Sequence, residues 1–421
     1  MIKQIVKGTI KVNNPSEGTG IMYWVRFAKN MSGSIIPEIL LNVLGGYPDN
    51  SDVAPSIVFT VLFALLGLLH VVVWGINTAR GHYFHLSLGW AFCCVTKLIG
   101  FALRVVWAKD ATLVDVGLTS SVLLIIPSIL FASFDLILAQ RLFTWRHPVD
   151  GSRRLFWGIM LLLYAIVTVL VAVTIAATFI PYLHLLSEAA YLRWKKVNMF
   201  TSIMVLLYLL TAMALIGLSY LYPPTAKDEN LYTYQPWWIE SFSSFYFVEP
   251  GAAQTAEQTF LKRNSNHRHA IRVIAATHHD YNTVEGLTNQ RGDLKHNVSI
   301  ALICATTVLI LVGAIGRAVS LFENRIDRHA SIVCDPVFMY IAWGAFEVII
   351  NVLYLVGRVD LRFYRPDKLP AQVGAIVTAE QSVCVSDAEE EDKQEAARML
   401  ASGSREDLVE KKVDSASDFH F

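Results

Sequence analysis

Residues 53–76 read VAPSIVFTVLFALLGLLHVVVWGI, with His70 as the only ionisable side chain. A helix that crosses the ~30 Å hydrocarbon of a bilayer needs about 20 mostly apolar residues, each rising ~1.5 Å. This stretch meets that requirement. Six more windows do so: 86–107, 113–138, 155–180, 197–221, 298–321 and 336–357. Lipid offers no water to backbone N–H and C=O groups, so a spanning segment must be a helix or part of a closed barrel. None of the seven alternates as a barrel strand does. The expected fold is all-α: a polytopic integral membrane protein, a seven-transmembrane-helix bundle whose first partner is the lipid bilayer. Pro127 falls inside the third window, where it is expected to kink the helix.

Bulk composition agrees. The chain has 421 residues, 54% of them hydrophobic and 17% charged, against about a quarter charged in soluble domains. Its mean hydropathy is +0.44. Lys+Arg and Asp+Glu are equal at 35 each, which gives no basic surplus for nucleic acid. Cys93, Cys94, Cys304, Cys334 and Cys384 form neither a disulfide framework nor a CxxC motif. No glycine-rich phosphate loop, HExxH or GxSxG is present, and no clustered base and nucleophile can be assembled. The sequence therefore reads as a non-enzyme with no cofactor. His267, His269, His278, His279 and His296 crowd one long loop without the fixed geometry that metal ligation needs, so no metal site is assigned. Met1–Val12 lacks the apolar core of a signal peptide, which leaves insertion to the first membrane helix.

Loop charge sets the expected orientation. Arg80, Arg141, Arg146, Arg153, Arg154, Arg358, Arg362, Arg365 and Lys368 fall on one side. Lys109, Arg193, Lys195, Lys196, Arg325 and Arg328 fall on the other, and the flank from Glu38 to Asp52 has no basic residue. The larger basic set belongs in the cytosol, which puts the N-terminus outside and the C-terminus cytosolic. Three parts follow. Residues 1–52 form an extracellular or lumenal segment, where Asn30-Met31-Ser32 is an accessible glycosylation sequon. Residues 53–357 form the membrane domain, with a long cytosolic loop at 222–297. Residues 358–421 form an acidic cytosolic tail, largely disordered, with Glu389, Glu390, Glu391 and Asp392. Loop and tail offer surfaces to a cytosolic partner. The aromatic stretch Trp237–Val248, WWIESFSSFYFV, suits the bilayer surface.

Charges inside a membrane mark function by default and need named partners. Lys97 and Arg104 lie seven residues apart, on one face of the second window. With the N-terminus outside, Lys97 sits ~16 Å and Glu347 ~15 Å from the inner ends of their helices, near the midplane. The matched depth predicts a Lys97–Glu347 pair. Arg104 and Asp115 both fall within ~5 Å of the outer ends, which predicts a second pair at the outer rim. Asp135 is placed near the inner face, within reach of water. Arg317 is placed near the outer face, where it can snorkel. The Lys97–Glu347 pair reads either as a bridge that fixes helix register or as the lining of a polar cavity.

Several motifs carry a family resemblance. They are Leu44-Gly45-Gly46-x-Pro48; Arg80-Gly81-His82-Tyr83-Phe84; Phe92-Cys93; Lys97 with Arg104 and Trp107; Ala139-Gln140-Arg141 with His147-Pro148; and Arg358-Val359-Asp360-Leu361-Arg362-Phe363-Tyr364-Arg365-Pro366-Asp367. From about Leu44 to Asp367 the chain resembles a fungal seven-helix family of unknown function whose members carry the label "family C-like G-protein-coupled receptor". Ala54-Pro55-Ser56 and Arg317-x5-Glu323 are similar to fungal RTA1-like proteins, which implies lipid translocation. Three functional classes stay open. The first is receptor-like sensing, although no DRY-type triplet, NPxxY or large ectodomain is present. The second is translocation of a lipid or small molecule, and the third is an accessory role in a secondary-metabolite pathway. The expected location is a membrane, the plasma membrane ahead of internal ones.

Overall fold

Asp49 caps the short 3-10 turn Asn50–Asp52 that leads into the first helix. Its carboxylate accepts from the Ser51 N–H at 2.7 Å, while Asp52 Oδ2 accepts from the Asp49 N–H at 3.0 Å. This reciprocal cap satisfies two backbone donors that the helix itself leaves orphaned. The helix, α1, runs Val53–Ala79, followed by α2 Leu86–Lys109, α3 Val114–Arg146, α4 Arg154–Leu183 and α5 Glu188–Leu221. The chain continues with α6 His296–Glu323 and α7 Pro336–Val356. The computed structural model describes residues 45–46, 48–110, 113–151, 153–183, 188–222, 232–234, 239, 241–252, 255, 273–275, 296–323 and 331–364. Asn30, His267, His269, His278, His279 and the tail beyond Tyr364 lie outside the described residues. Among those described, seven helices are long and apolar enough to cross a membrane, so the fold is an all-α seven-helix bundle. Two three-residue strands, β1 Tyr232–Tyr234 and β2 Val273–Ala275, pair antiparallel within the α5–α6 loop.

Helix α3 is the hub, packed against α2, α4, α5 and α6, while α7 packs on α6 and α1. Small residues let the backbones close up. A Cβ on Gly344 would stand 2.7 Å from the Phe59 ring, and one on Gly117 would stand 2.4 Å from Trp107. Outward, α1 and α4 expose leucines and valines, among them Leu68, Leu161, Leu162 and Val169. Such an apolar belt belongs against lipid.

Two local features depart from a plain helix pattern. The α3 helix continues past Leu138 to Arg146, because its polar residues there find protein partners. Gln140 accepts from the Tyr164 hydroxyl, and Arg141 donates to the Phe363 carbonyl. The α7 helix opens with a Pro336 turn capped by Asp335 and passes through a π-helical turn at Tyr340–Ala345 before resuming as an α-helix at Phe346. π turns shift the backbone ladder by one residue and are frequent at functional sites.

Where it is described, the aromatic stretch Trp237–Val248 packs against the bundle, with Phe245 left exposed. Ile239 and Val248 are buried, and Phe242 and Tyr246 pack against the core. Ser244 Oγ donates to the Val356 carbonyl at 3.2 Å, and the Arg362 guanidinium sits 4.9 Å from the centre of the Phe242 ring.

Candidate functional site

Five polar side chains of α7 or its exit turn, Tyr340, Glu347, Asn351, Tyr354 and Arg358, recur at spacings of seven, four, three and four. That places them on one stripe of a helix. All five are buried, and each binds a different neighbour. The result is a polar column along the length of the bundle.

At the end where α1 and α7 begin, Arg104 Nη2 donates to Asp52 Oδ1 at 3.3 Å and to the Gly45 carbonyl at 2.6 Å. Its Nε donates to Tyr340 Oη at 3.2 Å. The Tyr340 hydroxyl donates to the Asp52 carbonyl at 3.1 Å and shares a 2.7 Å hydrogen bond with Ser56 Oγ. Asp52 thus accepts from the Asp49 N–H in the turn that leads into α1 and pairs with Arg104 at once. This corrects the expected Arg104–Asp115 pair. Arg104 shares a face with Lys97 and turns with it toward α7 and α1, whereas Asp115 stands exposed at the start of α3.

Lys97 and Glu347 meet in the interior at 2.7 Å, both buried. The Lys97 ammonium has three protons and three acceptors: Glu347 Oε1, the Leu124 carbonyl at 2.7 Å and the Trp343 carbonyl at 3.2 Å. Both carbonyl acceptors lie at irregular stretches: Leu124 three residues before Pro127 in α3, and Trp343 within the π turn of α7. Ser128 Oγ donates to Glu347 Oε1 at 2.6 Å, while Glu347 Oε2 is buried with no hydrogen-bond partner among the described residues.

One turn on, Asn351 Oδ1 lies 3.1 Å from His70 Nε2 and accepts from Cys94 Sγ at 3.3 Å, and Asn351 Nδ2 donates to the Glu347 carbonyl. Tyr354 stacks on Trp90 with centroids 4.6 Å apart and donates to Asp135 Oδ1 at 2.6 Å. Asp135 is fully buried. The expectation that water reaches it fails because α3 runs to Arg146, which puts Asp135 about 16 Å inside the helix end. Arg317 is buried too, with Nη2 donating to Asn198 Oδ1 at 3.4 Å across α5 and α6. The α5 helix covers it, so it does not snorkel outward.

At the far end Arg358 adopts φ 47°, in the left-handed region that a non-glycine residue enters only when held there. Asp360 holds it, taking Nε at 3.0 Å and Nη2 at 2.8 Å in a two-pronged pair. Asn77 also donates to Asp360 Oδ2, at 2.8 Å. Arg358 Nη1 reaches the carbonyls of Ser243, Ser244 and Tyr246, and Arg80 Nη1 reaches those of Phe247 and Val248. Both guanidiniums lie against the Phe247 ring. His82 Nε2 donates to the Asp360 carbonyl at 2.9 Å, while Nδ1 is buried with no hydrogen-bond partner among the described residues. Burial holds this imidazole below its usual titration range, with the Asp360 carbonyl opposing the shift.

Residues 148–364 match the model of the family described as Protein of unknown function (DUF3112). The chain belongs to this family. No curated protein matches it. In this DUF3112 chain the matched region carries α4–α7 and the Arg358–Asp360 turn, so all five side chains of the column fall within it. Lys97, Arg104 and Asp135 precede it.

Proposed function

We propose that this chain is a non-enzymatic, receptor-like membrane sensor in which α7 relays a change from one end of the bundle to the other. The observation that carries this reading is the stripe of buried polar side chains along α7 and its exit turn. It begins at the Arg104–Asp52 cluster, passes the Lys97–Glu347 pair, and ends where Arg358 grips the α5–α6 loop. The π turn beneath Trp343 gives the helix a point at which its register can shift. In the orientation favoured by loop charge, the N-terminus is outside and the gripped loop faces the cytosol, where a partner protein would read its release. The plasma membrane is the natural site for such a sensor, and a lipid or small molecule the natural ligand.

Hydrogen exchange on the reconstituted protein tests the relay. Glu347→Gln is expected to raise amide exchange in residues 241–252, about 14 Å or more along α7 from the substitution. Unchanged exchange there, together with altered movement of lipid or lipophilic dye across vesicles, would replace the sensor with the RTA1-like translocation reading.

A further inference from the structure

Four carboxylates are buried among the described residues, and Asp135 differs from Asp52, Glu347 and Asp360 in having no ion pair there. Among the described residues Asp135 touches three hydroxyls and no cation. Tyr354 Oη lies 2.6 Å from Oδ1, Thr307 Oγ1 2.9 Å from Oδ2, and Thr306 Oγ1 3.1 and 2.9 Å from Oδ1 and Oδ2. The basic side chains of the interior are engaged elsewhere: Lys97 by Glu347, Arg104 by Asp52, Arg358 by Asp360, Arg317 by Asn198 and Arg141 by the Phe363 carbonyl. The titratable groups facing the site are Tyr354 of α7, the half-buried Cys304 of α6, and Cys93 of α2 beside Tyr354. Of the other helices packed on α3, α5 carries the buried phenol Tyr208 and α4 carries Tyr164, which is bound to Gln140. An ionised carboxylate enclosed this way, without a counter-charge, is expensive to bury.

Thr306 supplies the decisive geometry. Its hydroxyl has one proton but four acceptors in reach: both Asp135 oxygens, the Leu302 carbonyl at 3.0 Å and the Ile303 carbonyl at 3.0 Å. A helical threonine readily donates back to the carbonyl four residues earlier. When Thr306 does so, its oxygen faces a carboxylate oxygen lone pair to lone pair, unless Asp135 itself brings a proton.

We propose that Asp135 is a reversible proton-binding site in the interior of the bundle. In the loaded state the Asp135 carboxyl donates to Thr306 Oγ1, and Thr306 donates to the Leu302 carbonyl. Tyr354 and Thr307 donate to the remaining carboxyl lone pairs. On release the proton leaves to solvent, and Thr306 turns its own proton onto Asp135 Oδ2. Every hydroxyl then donates to the carboxylate. No other atom is gained or lost, and the hydroxyl set serves both states. Oxygen separations of 2.6–3.1 Å are those of direct hydrogen bonds, which favours a proton over a metal cation as the ligand. The inference does not depend on α7 acting as a relay.

Infrared spectroscopy of the full chain in vesicles at pH 7 tests it. Exposed carboxyls are ionised at this pH, so a carboxylic-acid C=O stretch reports a buried protonated group. The expected band is present in wild type, persists in Glu347→Gln and is lost in Asp135→Asn. Should Asp135→Asn not fold, Tyr354→Phe serves instead, because removing one donor shifts the band without abolishing it. Absence of the band overturns the proposal, as does its loss in Glu347→Gln with retention in Asp135→Asn. A melting temperature that rises with sodium but not with a bulky organic cation, in wild type only, also overturns it by showing a cation site.

Discussion

Glu347 and Asp135 are both carboxylates buried in the same bundle, and both are served by α7, yet they are satisfied by opposite means. Glu347 faces an ammonium whose three protons are all engaged, and Asp135 faces three neutral hydroxyls. A charge pair is locked: removing either member strands the other in a medium that penalises it. A hydroxyl cage tolerates a change of protonation because hydroxyls donate or accept. The first arrangement suits holding helices in register, the second suits responding to a proton.

This contrast predicts unequal costs for chemically similar substitutions. The largest belongs to Glu347→Gln or Lys97→Met, each expected to lower stability by about 3–5 kcal/mol as the partner is left charged and unpaired. The double Lys97→Met/Glu347→Leu is expected to recover most of that loss, read as melting temperature of the purified protein. Failure of the double to recover would mean that the pair does more than balance charge. Next comes Asp135→Ala, which leaves Tyr354 and Thr307 without their acceptor and costs about 1–3 kcal/mol. Tyr354→Phe removes one donor and costs about 1 kcal/mol. Asp135→Asn keeps acceptors and a donor in the cage, so its cost stays below about 1 kcal/mol. If Asp135→Asn proved as damaging as Glu347→Gln, the two carboxylates would be equivalent and the contrast would collapse.

The smallest effect lies outside the membrane span, at His82. Its imidazole is kept neutral by burial, so the folded state binds fewer protons than the unfolded state just below pH 6.5. Stability from this group is therefore present above about pH 6.5 and falls as pH drops through that value. Between pH 7 and pH 5 a loss of stability is expected around the Asp360 turn, visible as faster amide exchange near residues 358–364. His82→Asn should remove the pH dependence. A profile unchanged by that substitution would assign the dependence to another group.

Part of the site was readable from spacing alone. Lys97 and Glu347 were matched by depth because helix rise converts residue number into distance from a membrane face. The same arithmetic misplaced Asp135, since hydropathy ended its window at Leu138 while partnered polar residues carry α3 on to Arg146. It also matched Arg104 to Asp115, since depth fixes how far along a helix a charge lies but not which neighbour the helix turns it toward. Asp52, Asn351 and Tyr354 were missed, although the stripe from Tyr340 to Arg358 is regular enough to have flagged the last two. For Asp52 the signal was only an acidic residue ahead of Val53, which reads equally as a helix cap.

By itself the sequence determined that seven helices cross a bilayer. Lipid leaves the backbone no alternative, and the length of each apolar run is set by membrane thickness. It also pointed to Lys97, Arg104, Asp135, Arg317 and Glu347 as buried charges inside the runs, although Asp115 lies in a run and stays exposed. Only the tertiary structure decided their partners. Hydropathy is blind to rotation about the helix axis, and that rotation directs Arg104 to Asp52, encloses Asp135 in hydroxyls and docks Phe247 between Arg80 and Arg358.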